Sequence, residues 1–118
     1  MIMKIDAIVR EEKFEDVKNA LMEIEVNGLT VSQVMGCGLQ RGYKEIVRGM
    51  EVEPQMQPKI KFEIVVSSEE WEAKTIEAIE KAAYTGEFGD GKIFSYPVAS
   101  ATKIRTGETG YDAVQCQE

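Results

Sequence analysis

Residues 2–9, Ile-Met-Lys-Ile-Asp-Ala-Ile-Val, alternate roughly between apolar and polar positions, which predicts a first β-strand. The period then changes. Phe14, Val17, Leu21 and Ile24 stand three, four and three residues apart, so residues 13–26 are expected to form a helix with one apolar stripe. Asn27-Gly28 supplies the expected stop, because Gly takes the left-handed conformation that ends many helices. Alternation returns over residues 29–35, a second strand, and again over 59–66, a third. In the third, Ile60, Phe62 and Ile64 share one face and Lys61 and Glu63 the other. Ser67-Ser-Glu-Glu70 reads as a capping box opening a second helix, which carries Trp71, Ile76, Ile79 and Ala83 to about Tyr84 and ends at Thr85-Gly86. A fourth strand is expected from about 92 to 98, and a short extended edge near 103–105.

The order β-α-β-β-α-β is the ferredoxin-like pattern, an α+β sandwich in which two helices cover one face of an antiparallel sheet. It accounts for residues 1–118 as a single domain, with 99–118 as a C-terminal segment. The other sheet face is left open. Apolar residues on both sides of the strands favour a homo-oligomer that buries it.

Composition changes this picture little. A hydrophobic share of 43% with only 8% aromatic residues predicts a thin core of Ile, Val, Leu, Met and Ala. Charge and histidine content change it more. A net charge of −7 argues against nucleic-acid or anionic-membrane binding, although local Lys and Arg can still hold a small anion. The chain has no His, which removes His-ligated metal sites and Ser-His or Cys-His catalysis. Cys37 and Cys116 read as free thiols in a reducing cytoplasm. The first residues carry no long apolar run and no segment approaches a membrane span, so a cytoplasmic protein is expected.

Two segments carry candidate chemistry. Residues 37–58 are far longer than the hairpin needed to join two antiparallel strands, and a loop of that length is usually functional or disordered. It reads as an arm for a partner protein, with a hairpin-like piece possible around Tyr43 to Val47. At its start, Gly36-x-Gly38-x-Gln40-x-Gly42 can bring backbone amides close to a ligand, and the Gln40 carboxamide oxygen suits a hard cation such as Mg²⁺. The second segment is Thr85-Gly-Glu-Phe-Gly-Asp-Gly-Lys-Ile-Phe94, where Gly89 and Gly91 bracket Asp90 in a tight turn before a strand. Such a turn can form an amide nest for an anion, with Lys92 adding positive charge. Lys103 and Arg105 are expected on one side of the extended edge, where they would add two more cations for a polyphosphate. It is no Walker A loop, since Gly-x-x-x-x-Gly-Lys-Ser/Thr is absent.

These residues resemble one family. Thr85-Gly-x-x-Gly-Asp-Gly-Lys-Ile-Phe94, followed by Ile104-Arg-Thr-Gly-Glu108, is similar to the C-terminal signature of PII nitrogen-regulatory signal-transduction proteins. Asn27-Gly-Leu-Thr-Val31, the glycine run from Gly36 to Gly42, Arg48-Gly49 and Pro58-Lys59 follow in family order and spacing, so the resemblance spans essentially the whole chain. It implies a homotrimer that binds ATP or ADP between subunits, and 2-oxoglutarate together with Mg and ATP. It implies that the loop 37–58 is the family's T-loop, which docks on an ammonium transporter or an enzyme of nitrogen metabolism. The implied role is regulation, not catalysis. The implied nucleotide contacts are Thr30, Gly38, Gln40, Val65, Gly89, Asp90, Gly91, Lys92, Lys103 and Arg105. Those of 2-oxoglutarate are Gln40, Arg41, Gly42, Lys59, Phe88 and Gly89, with Gln40 also the Mg ligand. Tyr43, Arg48, Met50 and Val52 fall in the partner-binding part of the T-loop.

The chain departs from the family's pattern at several places. Leu39 stands where an Arg is common, Lys103 where many members have Arg, and Arg10-Glu11 where Lys-Pro is usual. Val52 occupies the position of the modifiable tyrosine and has no hydroxyl, so uridylylation there is chemically impossible. These departures keep alternatives open: an adenine-nucleotide sensor that does not bind 2-oxoglutarate, a ferredoxin-like trimer for another ligand, or a slow ATPase using Asp90 or Glu108.

Overall fold

The computed structural model describes residues 1–26, 28–37, 46–47, 50–51 and 56–115 of the chain. In order these form strand β1 (Met3–Arg10), a single 3₁₀ turn (Glu11–Lys13), helix α1 (Phe14–Glu23), β2 (Leu29–Gly36), β3 (Ile46–Val47), β4 (Met50–Glu51), β5 (Gln57–Val66), helix α2 (Glu69–Ala83), β6 (Gly91–Pro97) and the short helix α3 (Tyr111–Gln115). The main sheet has the order β2-β5-β1-β6, antiparallel throughout. With β3 and β4 set apart as a two-stranded hairpin inside the long loop, this is the expected ferredoxin-like arrangement.

Alternation sorts the sheet into two faces. Met3, Ile5, Ala7 and Val9 of β1 are buried, as are Ile60, Phe62, Ile64 and Val66 of β5. Val17 and Leu21 of α1 and Ile79 and Ala83 of α2 close over them. Phe14 stacks on Phe62 with ring centroids 5.8 Å apart, a contact worth about 1 kcal/mol beyond its buried area. The opposite face carries Lys4, Asp6, Ile8 and Arg10 from β1 and Lys59, Lys61, Glu63 and Val65 from β5. No helix covers it among the described residues.

Three local expectations require correction. Helix α1 stops four residues before Asn27-Gly28. Glu25 takes the left-handed conformation, φ 66°, and its N–H donates to the Met22 carbonyl at 3.0 Å while that of Val26 donates to Leu21 at 2.9 Å. This pair of bonds is a Schellman closure, and the buried Val26 and Leu21 supply its hydrophobic contact. Packing of Val26 therefore outweighs the cost of a non-glycine residue at the turn. Helix α2 is capped by Ser68, whose hydroxyl accepts from the Trp71 N–H at 3.2 Å; Ser67 is buried instead.

The third correction concerns the tail, where no edge strand forms at 103–105. The chain folds back in a turn, with Lys103 N–H donating to the Glu108 carbonyl at 2.8 Å and Gly107 N–H to the Lys103 carbonyl at 2.8 Å. One bridge, Thr102 to Thr109, sits beside it. Lys103 and Arg105 consequently do not share a side. The first is buried near Glu108, with an N···O distance of 3.9 Å, and the second is exposed.

Two substitutions test this packing. Glu25→Gly removes the left-handed strain of an L-residue and is expected to stabilise the fold by roughly 0.5–1 kcal/mol. Thr75 is fully buried in α2, and its hydroxyl has no hydrogen-bond partner among the described residues. Thr75→Val keeps its shape and is expected to add about 1 kcal/mol. Urea unfolding midpoints check both, and a lower midpoint in either variant contradicts the corresponding account.

Candidate functional site

The uncovered sheet face ends in a tight cluster around the turn between α2 and β6. Tyr84 leaves the helix in an extended conformation, and Gly86, Gly89 and Gly91 all take positive φ. At Gly91 no other residue fits. Its φ is 104°, and a Cβ would overlap the carbonyl of Ile8 on β1. That close approach brings the turn onto the end of the sheet where β1 finishes and β5 begins.

Asp90 organises the turn from inside. Its carboxylate accepts from the amides of Thr85 and Gly86, each at 2.9 Å, and from the Thr85 hydroxyl. Arg10 donates Nε–H to the same carboxylate at 3.1 Å and Nη2–H to the Phe88 carbonyl at 2.6 Å. Lys59, paired with Arg10 across β1 and β5, donates to the Gly89 carbonyl at 2.7 Å. Burial alone would push the Asp90 carboxyl up. The bonds from Thr85, Gly86 and Arg10 outweigh it and hold the group well below the usual carboxylate range.

Lys92 lies on the same open face and is exposed. Thr30 and Val65 are exposed toward the other end of the open face, where Lys4, Asp6, Glu63 and Tyr96 form a network. Lys4 bonds Glu63 at 2.8 Å, and the Tyr96 hydroxyl donates to Asp6 at 2.8 Å. The Glu63 bond first, then Tyr96 and Asp6, raise the Lys4 pKa above the ordinary lysine range. On the helix side, a cleft of about 400 Å³ runs between the end of α2 and the start of β6, bordered by Ile79, Tyr84, Asp90 and Lys92.

The structure thus brings Lys59, Phe88, Gly89, Asp90, Gly91 and Lys92 together at one end of the sheet. Thr30 and Val65 stand apart from them, and Lys103 and Arg105 belong to the tail turn. Gly38, Gln40, Arg41, Gly42, Tyr43, Arg48 and Val52 lie outside the described residues, as does the side chain of Met50. Two contributors were not singled out for this site from sequence. Thr85 was only part of a motif, and Arg10 only a departure from the family's pattern. The parity of β1, which sets Arg10 on the same face as Lys4 and Asp6, is the signal that finds it.

These features define an α+β domain of ferredoxin-like type that presents a cation-held glycine turn at one end of an open sheet face. A family model for the nitrogen regulatory protein P-II matches residues 2–108, and the chain belongs to that family. Nitrogen regulatory protein P-II 1 of Methanothermobacter thermautotrophicus is 51% identical over 111 residues, covering 94% of this chain and 96% of its own. The P-II protein of Rhizobium meliloti is 48% identical over 111 residues, covering 94% and 98%. Among solved structures, the B. subtilis GlnK–ATP complex superposes with a TM-score of 0.77 at 37% identity, over 95% of this chain and 96% of that one. Arabidopsis thaliana PII bound to citrate superposes at 0.74 with 38% identity, over 95% and 91%.

The role of Asp90 in shaping the turn is testable by pH. Its native pKa is depressed, so the stability it contributes is full above its unfolded pKa of about 4 and declines as pH falls toward the native value. Asp90→Asn is expected to cost about 1–2 kcal/mol at neutral pH. The gap from wild type should close progressively below about pH 4. Unfolding curves across pH 2–7 that keep a constant gap contradict this.

Proposed function

We propose that this chain is a regulatory subunit that binds ATP or ADP and acts on a partner through its T-loop, without catalysing a reaction of its own. The observation that carries the reading is the turn Thr85–Gly91. Its carboxylate and two of its carbonyls are each held by donors, on a chain similar to a GlnK whose complex with ATP has been solved. A turn with its own negative groups already satisfied is receptive to phosphate, and exposed Lys92 adds a full positive charge at its end. Arg105, also exposed, is assigned to the same phosphates.

The nucleotide site is assigned to the junction of neighbouring copies in a homotrimer. Thr30 on β2 and Lys92 on β6 lie on opposite edge strands, roughly 16 Å apart, three strand spacings across and two residues along. Between them run the carboxylates of Glu63 and Asp6. A cleft that sets Thr30 and Val65 of one copy against the glycine turn of the next places the adenine and the phosphates without crossing those carboxylates. Lys103, buried beside Glu108, acts on the phosphates only if that tail turn opens, so Arg105 carries more of this role.

Mg²⁺ is assigned to the carboxamide of Gln40, and 2-oxoglutarate to Gln40, Arg41, Gly42, Phe88 and Gly89 with Lys59 as the carboxylate partner. Lys59 suits that role because its ammonium already stands at the turn, 2.7 Å from the Gly89 carbonyl. Held by Gln40 beside the nucleotide, Mg²⁺ would supply positive charge for the 2-oxoglutarate carboxylate, so 2-oxoglutarate affinity is expected to depend on ATP. Tyr43, Arg48, Met50 and Val52 are assigned to partner contact, the partner being an ammonium transporter or an enzyme of nitrogen metabolism. A cytoplasmic location accords with this. No helix among the described residues is long and apolar enough to cross a membrane.

One observation favours a second reading, in which nucleotide binds and 2-oxoglutarate does not. The Lys59 ammonium is committed to the Gly89 carbonyl, and Leu39 supplies no cation beside Gln40.

Titration calorimetry with ATP, ADP and 2-oxoglutarate, with and without Mg²⁺, decides between them. The expected outcome is nucleotide binding, with 2-oxoglutarate binding at least tenfold tighter when MgATP is present and Gln40→Ala abolishing that gain. Nucleotide binding with no 2-oxoglutarate heat selects the second reading, and no nucleotide heat rejects both. The mass in solution should be three times the chain mass of 13.2 kDa.

A further inference from the structure

We propose that Arg10 is the positioning residue that keeps the Thr85–Gly91 turn in its anion-receptive form. The proposal rests on the reading of this turn as the phosphate-binding segment, and it assigns the turn's shape and charge balance to a side chain on a different element. Arg10 is the last residue of β1, and its side chain is only 22% exposed. One guanidinium reaches both the Asp90 carboxylate, at 3.1 Å, and the Phe88 carbonyl, at 2.6 Å. A planar fork makes two directed bonds of this kind at once, which a single ammonium cannot reproduce. The only other carboxylate within ion-pair range of Arg10 among the described residues is Glu12, at 3.9 Å, and it is largely exposed.

Two consequences follow for an anion. The first is electrostatic. Asp90 closes the turn by collecting the Thr85 and Gly86 amides, but it also puts a negative charge where phosphates are to sit. Arg10 cancels that charge and leaves the Asp90 bonds in place. The second is geometric. In a trans peptide the carbonyl and the following N–H point in opposite directions, and the chain has no cis peptide bond among the described residues. Holding the Phe88 carbonyl on Arg10 and the Gly89 carbonyl on Lys59 therefore turns the amides of Gly89 and Asp90 away from those cations, free to face a ligand. Arg10 thus lets a carboxylate-built turn accept a polyanion without itself needing to touch it.

The test uses the full-length protein with Arg10→Met, Arg10→Lys and the double variant Arg10→Met/Asp90→Asn. Two readouts are taken: amide hydrogen exchange at Thr85 and Gly86, and calorimetric affinity for ATP, ADP and AMP. Arg10→Met is expected to speed exchange at both amides at least tenfold. It should weaken ATP at least tenfold, ADP less and AMP least, because the uncovered Asp90 charge acts on phosphate charge. The double variant should recover part of the ATP affinity while exchange stays fast. Arg10→Lys, which reaches one acceptor at a time, should fall between wild type and Arg10→Met. Unchanged exchange in folded Arg10→Met overturns the proposal, and so does an equal loss for all three nucleotides. Should Arg10→Met not fold, unchanged exchange and an unchanged ATP-to-AMP affinity ratio in Arg10→Lys overturn it instead. A wild-type protein that binds none of the nucleotides defeats the functional reading of the turn, while the exchange readout still decides what Arg10 does to its shape.

Discussion

Strand β1 is bonded on both sides, to β5 and to β6, and the alternation of its side chains constrains every neighbouring element. Met3, Ile5, Ala7 and Val9 must face the helices, so Lys4, Asp6, Ile8 and Arg10 must face the other way. A slip of one residue would send Lys4, Asp6 and Arg10 into the core, which makes the register strongly specified. The same register sets Arg10 beside Lys59 and Ile8 beside Lys92. The core and the chemistry are thus two outcomes of a single pairing. Residues that stabilise the domain and residues that prepare its site alternate along the same eight-residue strand.

The glycine turn depends on that pairing at three points. Gly91 lies so close to the Ile8 carbonyl that the start of β6 has one place to sit. From there the chain must run back past the ends of β1 and β5, where Arg10 and Lys59 await its carbonyls. Asp90 then draws Thr85 and Gly86 inward, closing the turn from within. No one of these contacts is strong alone. Their effect comes from being made together, so that the backbone has little freedom left to lose when a ligand arrives.

Much of this was legible in the sequence, and the reason it was legible is that it is local. Strand alternation, the stripe Phe14–Val17–Leu21–Ile24 and the Gly-Asp-Gly turn each express a repeat or a backbone requirement within a few residues. The failures lie where packing, burial or a long-range contact decides, and not the alternation or composition of the segment itself. Glu25 takes the helix-ending conformation because Val26 packs back on Leu21, and Asn27-Gly28 looked better only by composition. The tail turns at 103–107 because its own backbone bonds and the burial of Lys103 favour it, although Lys-Ile-Arg alternates like a strand. Arg10 carries no local signal for the site, because its partners lie 78 and 80 residues away and only the sheet register brings them together. The residues of the loop start, Gly38 to Gly42, were legible as a motif, but they lie outside the described residues.

The chain's net charge of −7 sets a further condition on how such a site can work. A long-range field of that sign opposes the approach of any anion, but at physiological ionic strength charges farther than about 8 Å are largely screened. What remains is the short-range pattern, and there the balance is reversed. Asp90, the acid inside the turn, is neutralised by Arg10; the Gly89 carbonyl is taken by Lys59; Lys92 stands exposed beside both. An acidic protein can therefore offer a polyanion a receptive turn, provided the cations are fixed by backbone and side-chain bonds and not left to sample solvent. The affinity of such a site depends less on how many basic residues the chain carries than on how firmly a few of them are aimed. That puts the decisive residues at the strand ends, where the fold itself fixes their direction.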